Sequence, residues 1–311
     1  MKYSLSTMYA QAERFADIHD FVRVAERCGF DAVEVSHSTS EAQFERLLDG
    51  AGARLSSIHA PAPRVEVRGK PNGSLNLASL EDEERQLAIE HTKRSIDHAA
   101  STGARFVVVH LGGIGNAMLD SERKQRKLFD LSTSLKAGSG TRSGDEYESL
   151  RRETLDRRPE LAPPYFERAQ ESLAELAQHA RDRGIAIGLE NRLHHHEFPL
   201  PDEALELLKD YPPDLVGYWH DVGHAEVQAR LGYVDKRDWL SKLGSRTIGA
   251  HLHDVDGIGD HRAPGNGDVE WDYIAAGLPS SALRVFEINQ FEPEEAVAGA
   301  IAFLRARGVV A

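Results

Sequence analysis

Short apolar runs of β character alternate with amphipathic helical stretches eight times along the chain, and few folds accept that rhythm. The runs are KYSLSTM (2–8), AVEVSH (32–37), RLSSIHAP (54–61), RFVVVHLGG (105–113), IAIGLENR (185–192), LVGYWHDVG (215–223), TIGAHLHDV (247–255) and RVFEINQ (284–290). Between them lie helical segments such as FADIHDFVRVAERCG and YFERAQESLAELAQHARDRG, and Gly29, Gly103, Gly184 and Gly308 stand where helix-terminating glycines belong. A helix that runs within a few residues into an apolar strand is the βα unit of a parallel sheet. Eight such units in 311 residues predict an α/β fold, a (β/α)8 TIM barrel, over an open doubly wound sheet.

The rhythm breaks once. A polar stretch, 114–163, separates the fourth strand from its helix, with a flexible GSG at 138–140 and some helical pattern on either side. It reads as an insertion within a single domain spanning 1–311: a lid, a contact between copies in a homo-oligomer, or a loop without fixed structure. The composition, 41 % hydrophobic and 28 % charged, is that of a soluble protein, with no apolar run near the ~18 residues of a membrane span. The start, MKYSLSTMYAQAE, lacks the apolar centre and cleavage site of a secretory signal, so a cytoplasmic location is expected. The lone Cys28 excludes an internal disulfide and a thiolate cluster, and its place before Gly29 suits a small buried apolar residue. A formal net charge of −13 disfavours a nucleic-acid partner, because affinity for a polyanion comes largely from Lys and Arg. One basic run, ERKQRK at 122–127, has helical spacing and reads as a solvated face.

In such a barrel, chemistry belongs at the C-terminal ends of the strands. Of fifteen histidines, His37, His59, His110, His220, His224, His251, His253 and His261 fall at or just beyond expected strand ends, while His19, His91, His98 and His179 fall in helices. The HHH run at 194–196, in the loop after strand five, is explained equally well by a solvent-exposed polar loop as by a ligand cluster and is given no role. Glu190 ends strand five, Asp221 ends strand six, Asp254 lies at the end of strand seven and Glu287 sits on strand eight. A carboxylate in an apolar strand is costly unless paired or bound to a cation. Several histidines and carboxylates at one mouth would make a mixed nitrogen and oxygen site for a divalent ion. His220 has the opposite parity from Asp221 and is expected to point into the barrel wall.

An ordered series threads these strand ends: SIHAP (57–61), VVHLGG (108–113), LENR (189–192), HDVGH (220–224), HLHD (251–254), DHRAPGNG (260–267) and FEIN (286–289). Taken in this order, the set resembles the xylose-isomerase-like TIM-barrel superfamily, which includes sugar isomerases and epimerases, inosose dehydratase-like proteins and endonuclease IV. The resemblance covers nearly the whole chain apart from the insertion. It implies Glu190, Asp221, His251 and Glu287 as metal ligands. The Asp221 to His224 spacing matches the family's D-x-x-H, in which the histidine contacts substrate in epimerases and a second metal in the nuclease branch. His59, His110 and His261 match the additional histidines of that branch. The chain departs from it at Gly259, two residues before His261, where the nuclease branch has an aspartate; here Asp260 is adjacent instead.

The resemblance therefore implies, first, a divalent-metal-dependent isomerase or epimerase acting on a small carbohydrate, whether a sugar, a sugar phosphate or a related polyol ketone. The metal would polarise a carbonyl, and Glu190 and Glu287 would pass a proton across the substrate through an enediolate. His224 and Arg262 would hold substrate oxygens, a salt bridge ordering its loop being the alternative for Arg262. One to three divalent ions per chain are expected, Zn²⁺ or Mn²⁺ ahead of Mg²⁺ or Co²⁺. The competing reading is a multinuclear zinc phosphodiesterase resembling endonuclease IV, carried by His59, His110, His224 and His261 and opposed by the acidic balance. A third is a barrel that binds a sugar or a partner without catalysis.

Overall fold

The structure is a computed structural model and describes residues 3–49, 52–134 and 144–311. Each of the eight apolar runs supplies one strand of a closed parallel barrel: β1 (Tyr3–Ser6), β2 (Ala32–Val35), β3 (Leu55–His59), β4 (Phe106–Val109), β5 (Ala186–Glu190), β6 (Val216–Asp221), β7 (Thr247–Leu252) and β8 (Leu283–Phe286). Neighbours follow sequence order, and β1 closes the ring on β8 with Leu5 opposite Phe286. The helices are α1 (Ile18–Arg27), α2 (Glu41–Leu48), α3 (Asp82–Thr102), α4 (Asp120–Ser134), α5 (Asp145–Arg183), α6 (Pro201–Leu208), α7 (Val222–Arg230), α8 (Lys236–Leu243), α9 (Trp271–Gly277) and α10 (Glu294–Arg305). No helix among the described residues is long and apolar enough to cross a membrane.

Local chemistry places the helix ends. Asp17 caps α1 by accepting from the His19 amide, and Ser40 with Gln43 forms a capping box on α2. Gly103 and Gly184 take up φ of 79° and 67°, the left-handed conformation that stops α3 and α5. Cys28 is buried at the end of α1.

The insertion differs from the sequence expectation at its C-terminal boundary. α5 is one 39-residue helix carrying Pro159, Pro163 and Pro164 inside it, so the helix of the insertion and the fourth barrel helix are continuous. Each proline removes one helical hydrogen bond and so reads locally as a break; here α5 packs along α3 and α4, which favours continuity. The GSG at 138–140 lies outside the described residues. The basic run at 122–127 is a solvated face only in part: Arg123 and Lys124 are exposed, but Glu122 and Gln125 are buried, Gln125 Nε2 donating to the Leu231 carbonyl.

Inside the barrel, alternate residues of each strand point to the axis. Val108, Trp219 and Val285 pack together there. Trp219 fills so much of the space that two glycines on other strands have no room for a side chain. A Cβ at Gly249 would lie 2.1 Å from Trp219 Cζ3, and one at Gly188 would lie 2.6 Å from its Cε3. Gly249→Ala is therefore expected to cost roughly 2–3 kcal/mol of stability through overpacking, read as a lower urea midpoint. An unchanged midpoint would show that the interior tolerates the extra methyl group.

Candidate functional site

Advancing by two along a strand keeps a side chain on the inward face, and in all eight strands that step ends on a polar group, Ser4 leading to Ser6 in β1. Ala32 leads to Glu34, Ser57 to His59, Val108 to His110, Gly188 to Glu190, Trp219 to Asp221, Gly249 to His251 and Val285 to Glu287. The apolar layer is thus roofed by a polar one at the C-terminal mouth. Glu34, Glu190, Asp221 and His251 have no solvent exposure, and Glu287 has 1 %. Asp221 and His251 are directly opposed across β6 and β7.

The side chains converge. His251 Nδ1 lies 2.8 Å from Glu190 Oε1, 3.2 Å from Glu287 Oε2 and 3.5 Å from Asp221 Oδ2. Donor atoms of these four residues lie within 4.8 Å of one another. Two further groups flank them under the same limit: His59, His110 and Glu190 on one side, and His224, Asp260 and His261 on the other. His110 Nε2 sits 2.6 Å from His59 Nε2, 2.5 Å from Glu190 Oε2 and 2.6 Å from Arg192 Nη1. One imidazole nitrogen either donates or accepts, so it cannot satisfy all three at once. Nitrogen and oxygen lone pairs crowded this way could hold a divalent cation.

In the protein alone, the histidines supply the positive charge. Burial opposes protonation of His59, but Glu190 and Glu287 outweigh it and lift its pKa to about 9. Against the same burial, Glu287, Glu34 and Glu190 raise His251 well above the usual imidazole value, and Asp260 with Glu287 raises His261. Burial and the Arg192 guanidinium push His110 down. Burial would also raise Glu190, Asp221, Glu287 and Asp260, yet neighbouring histidines hold all four below the usual carboxylate range. A cation entering this cluster would displace protons from the imidazoles.

The structure brings Glu190, Asp221, His251, Glu287, His59, His110, His224 and His261 to one mouth. Asp260, next to Gly259, turns toward the same mouth: its carboxylate lies 3.2 Å from His261 Nδ1 and 3.7 Å from His224 Nε2. His261 reaches it from a left-handed backbone, φ 57°, that few non-glycine residues adopt. Arg262 forms the loop salt bridge instead of gathering with the cluster: its Nε donates to Glu292 Oε1, while Asn266 donates to the other oxygen. Asp254, grouped with the mouth carboxylates from sequence, accepts from the amides of Val255, Gly265 and Val269 and shapes the following loop. His220 lies in the wall, its Nδ1 bonded to Tyr218, which stacks on Trp239 of α8.

The HHH run is not a solvent-exposed loop. His195 and His196 are buried, the His195 amide donates to Glu122 of α4, and His196 Nδ1 lies 3.4 Å from the same carboxylate. This pins the insertion to the loop after β5. Three residues at the mouth had no role from sequence: Glu34, Arg192 and His253, the last noted only as a strand-end histidine. His253 Nε2 lies 3.0 Å from both oxygens of Asp221. Arg192 is held on Glu197 through Nε and Nη2, which aims Nη1 at His110. Glu34 carried the signal that marked Glu190 and Glu287, a carboxylate inside an apolar run.

Residues 22–307 match the xylose isomerase-like TIM barrel family. The chain belongs to this family. Protein y4fM of Sinorhizobium fredii, described as uncharacterized, is 26 % identical over 267 residues, 80 % of this chain and 71 % of that one. Among solved structures, a D-tagatose 3-epimerase-like protein superposes with a TM-score of 0.63 at 20 % identity, covering 99 % of this chain and 98 % of that one. D-psicose 3-epimerase from Clostridium cellulolyticum H10, solved with D-tagatose, gives 0.64 at 16 % identity and covers 99 % of each. At these identities the likeness is one of fold, and in this xylose isomerase-like barrel the chemistry must be argued from the site.

Proposed function

We propose that the chain is a divalent-metal-dependent isomerase or epimerase of a small carbohydrate. The observation that carries this reading is the convergence of Glu190, Asp221, His251 and Glu287, all buried, on one point at the barrel mouth. A bound ion would polarise a substrate carbonyl and acidify the neighbouring C–H bond. The remaining steps fall to side chains. Glu287, on β8, would take a proton from carbon through Oε1, a buried oxygen whose one ion-pair contact among the described residues is His59 Nδ1 at 3.4 Å. A second proton would reach the opposite side of the carbon by way of Glu190 on β5, passed to its Oε2 from protonated His59, whose Nε2 lies 3.3 Å away, while the first stays on Glu287. His224 Nδ1 donates to the Asn191 carbonyl at 3.0 Å, so its Nε2 is the nitrogen left to face substrate. The epimerases among the similar folds support a sugar as substrate class.

A second reading has an observation of its own. The flanking groups, His59–His110–Glu190 and His224–Asp260–His261, offer two more metal positions, as a multinuclear zinc phosphodiesterase would need. The net charge of −13 argues against DNA as its substrate. Metal content and solvent exchange separate the two readings. Protein loaded with Mn²⁺ or Zn²⁺ is expected to introduce solvent deuterium at the carbon beside a ketose carbonyl. Three zinc ions per chain, hydrolysis of a chromogenic phosphodiester and no exchange would replace the first reading with the second.

A further inference from the structure

We infer that Glu34 is the positioning residue that fixes His251 as an Nδ1 ligand, by holding the proton on its other ring nitrogen. The inference rests on the metal-binding reading above. Glu34 projects inward from β2 and is fully buried. Its Oε1 lies 2.9 Å from His251 Nε2, and its Oε2 accepts from Ser57 Oγ at 2.6 Å. Ser57 stands directly opposite Glu34 on β3, so the hydroxyl is placed by strand pairing itself.

A neutral imidazole has one proton to place, and the surroundings of the His251 ring decide where. With the proton on Nε2, Glu34 accepts it and the Nδ1 lone pair faces the Glu190–Asp221–Glu287 meeting point, ready for a cation. With the proton on Nδ1, the Nε2 lone pair would face a carboxylate oxygen with no hydrogen between them. Packing leaves the ring little freedom to tilt out of this choice: Trp219 meets it edge-on at 5.4 Å and His59 lies across it at 5.1 Å. A carboxylate behind a ligating histidine also makes the ring a stronger donor. Donor atoms of Glu34, His59, His251 and Glu287 also lie within 4.8 Å of one another, so direct ligation by Glu34 is the competing role. Against it, both Glu34 oxygens already have partners.

The test measures metal affinity and ring state, neither of which needs turnover. Zinc or manganese is titrated into metal-free protein against a chromophoric chelator, and the His251 tautomer is read from long-range ¹H–¹⁵N spectra of the zinc-loaded protein. Wild type is expected to bind with His251 protonated on Nε2. Glu34→Ala is expected to lose roughly 10- to 100-fold in affinity with the stoichiometry unchanged. Glu34→Gln, which keeps an acceptor oxygen, is expected to recover part of that affinity and the Nε2–H signal. Ser57→Ala leaves strand and carboxylate in place and is expected to show a smaller loss in the same direction, which keeps the inference testable if Glu34→Ala does not fold. Affinity and tautomer like wild type in the Glu34 variants, or in Ser57→Ala where Glu34→Ala is lost, would overturn the inference alone. Loss of a whole metal equivalent in Glu34→Ala would make Glu34 a ligand and overturn it too. Wild type that takes up no divalent ion would instead bring down the metal-binding reading on which it rests.

Discussion

Glu287→Gln is expected to abolish most proton exchange at the substrate carbon, lowering turnover by roughly 10²–10⁴-fold, the usual contribution of a positioned general base. The substitution keeps the size of the side chain and one oxygen that can face a metal, and it removes the basic atom. That atom is identified by its surroundings. Glu287 Oε2 is shared between two imidazoles, 3.2 Å from His251 Nδ1 and 3.5 Å from His261 Nε2, whereas Oε1 faces one, His59 Nδ1 at 3.4 Å. Glu190→Gln should behave differently, because both Glu190 oxygens are engaged: Oε1 with His251, and Oε2 with His110. It is expected to lose metal as well as turnover. Metal content, kcat and deuterium incorporation measured on both variants separate these effects. Wild-type exchange by Glu287→Gln with its metal retained would remove Glu287 from the reaction.

The barrel was legible because each strand's burial demands an apolar run and each crossover demands a helix, so one chain pattern reports both layers. The buried polar cluster was legible where it violated that pattern: Glu190, Asp221 and Glu287 interrupt apolar strands, and only a cation or partners make that tolerable. Glu34 interrupts AVEV in the same way. It stayed outside the reading because the ordered motif series begins only at SIHAP. Strand parity would have separated His253, which shares the inward phase of His251, from Asp254, which does not, and the structure divides them along that line. The Glu122 contact with the HHH loop was not legible. It joins positions 73 residues apart through the docking of α4, and no local rule encodes that docking. Likewise the three prolines of α5 carry a local signal to stop, and the tertiary packing along α3 and α4 has no counterpart in a window of sequence.

Removing bound divalent ions is expected to lower the melting temperature by roughly 10 °C. A ligand present at a thousand times its Kd adds about 4 kcal/mol to folding, and a chain of this size shifts a few degrees per kcal/mol. The gap between loaded and chelated protein should also depend on pH. In the metal-free protein the carboxylates are balanced by protons on His59, His251 and His261, all of which have raised pKa values. A raised histidine contributes stability that is fully present below its unfolded value of 6.5 and is lost as pH climbs through the folded value, about 9 for His59. The loaded protein draws its balance from the cation and escapes that loss, and proton competition for its ligands also eases as pH rises. The difference in melting temperature is therefore expected to widen between pH 6.5 and pH 8.5, as calorimetry with and without chelator would show. Equal melting temperatures would mean that the mouth carries its buried carboxylates without a metal, and the non-enzymatic barrel would become the better reading.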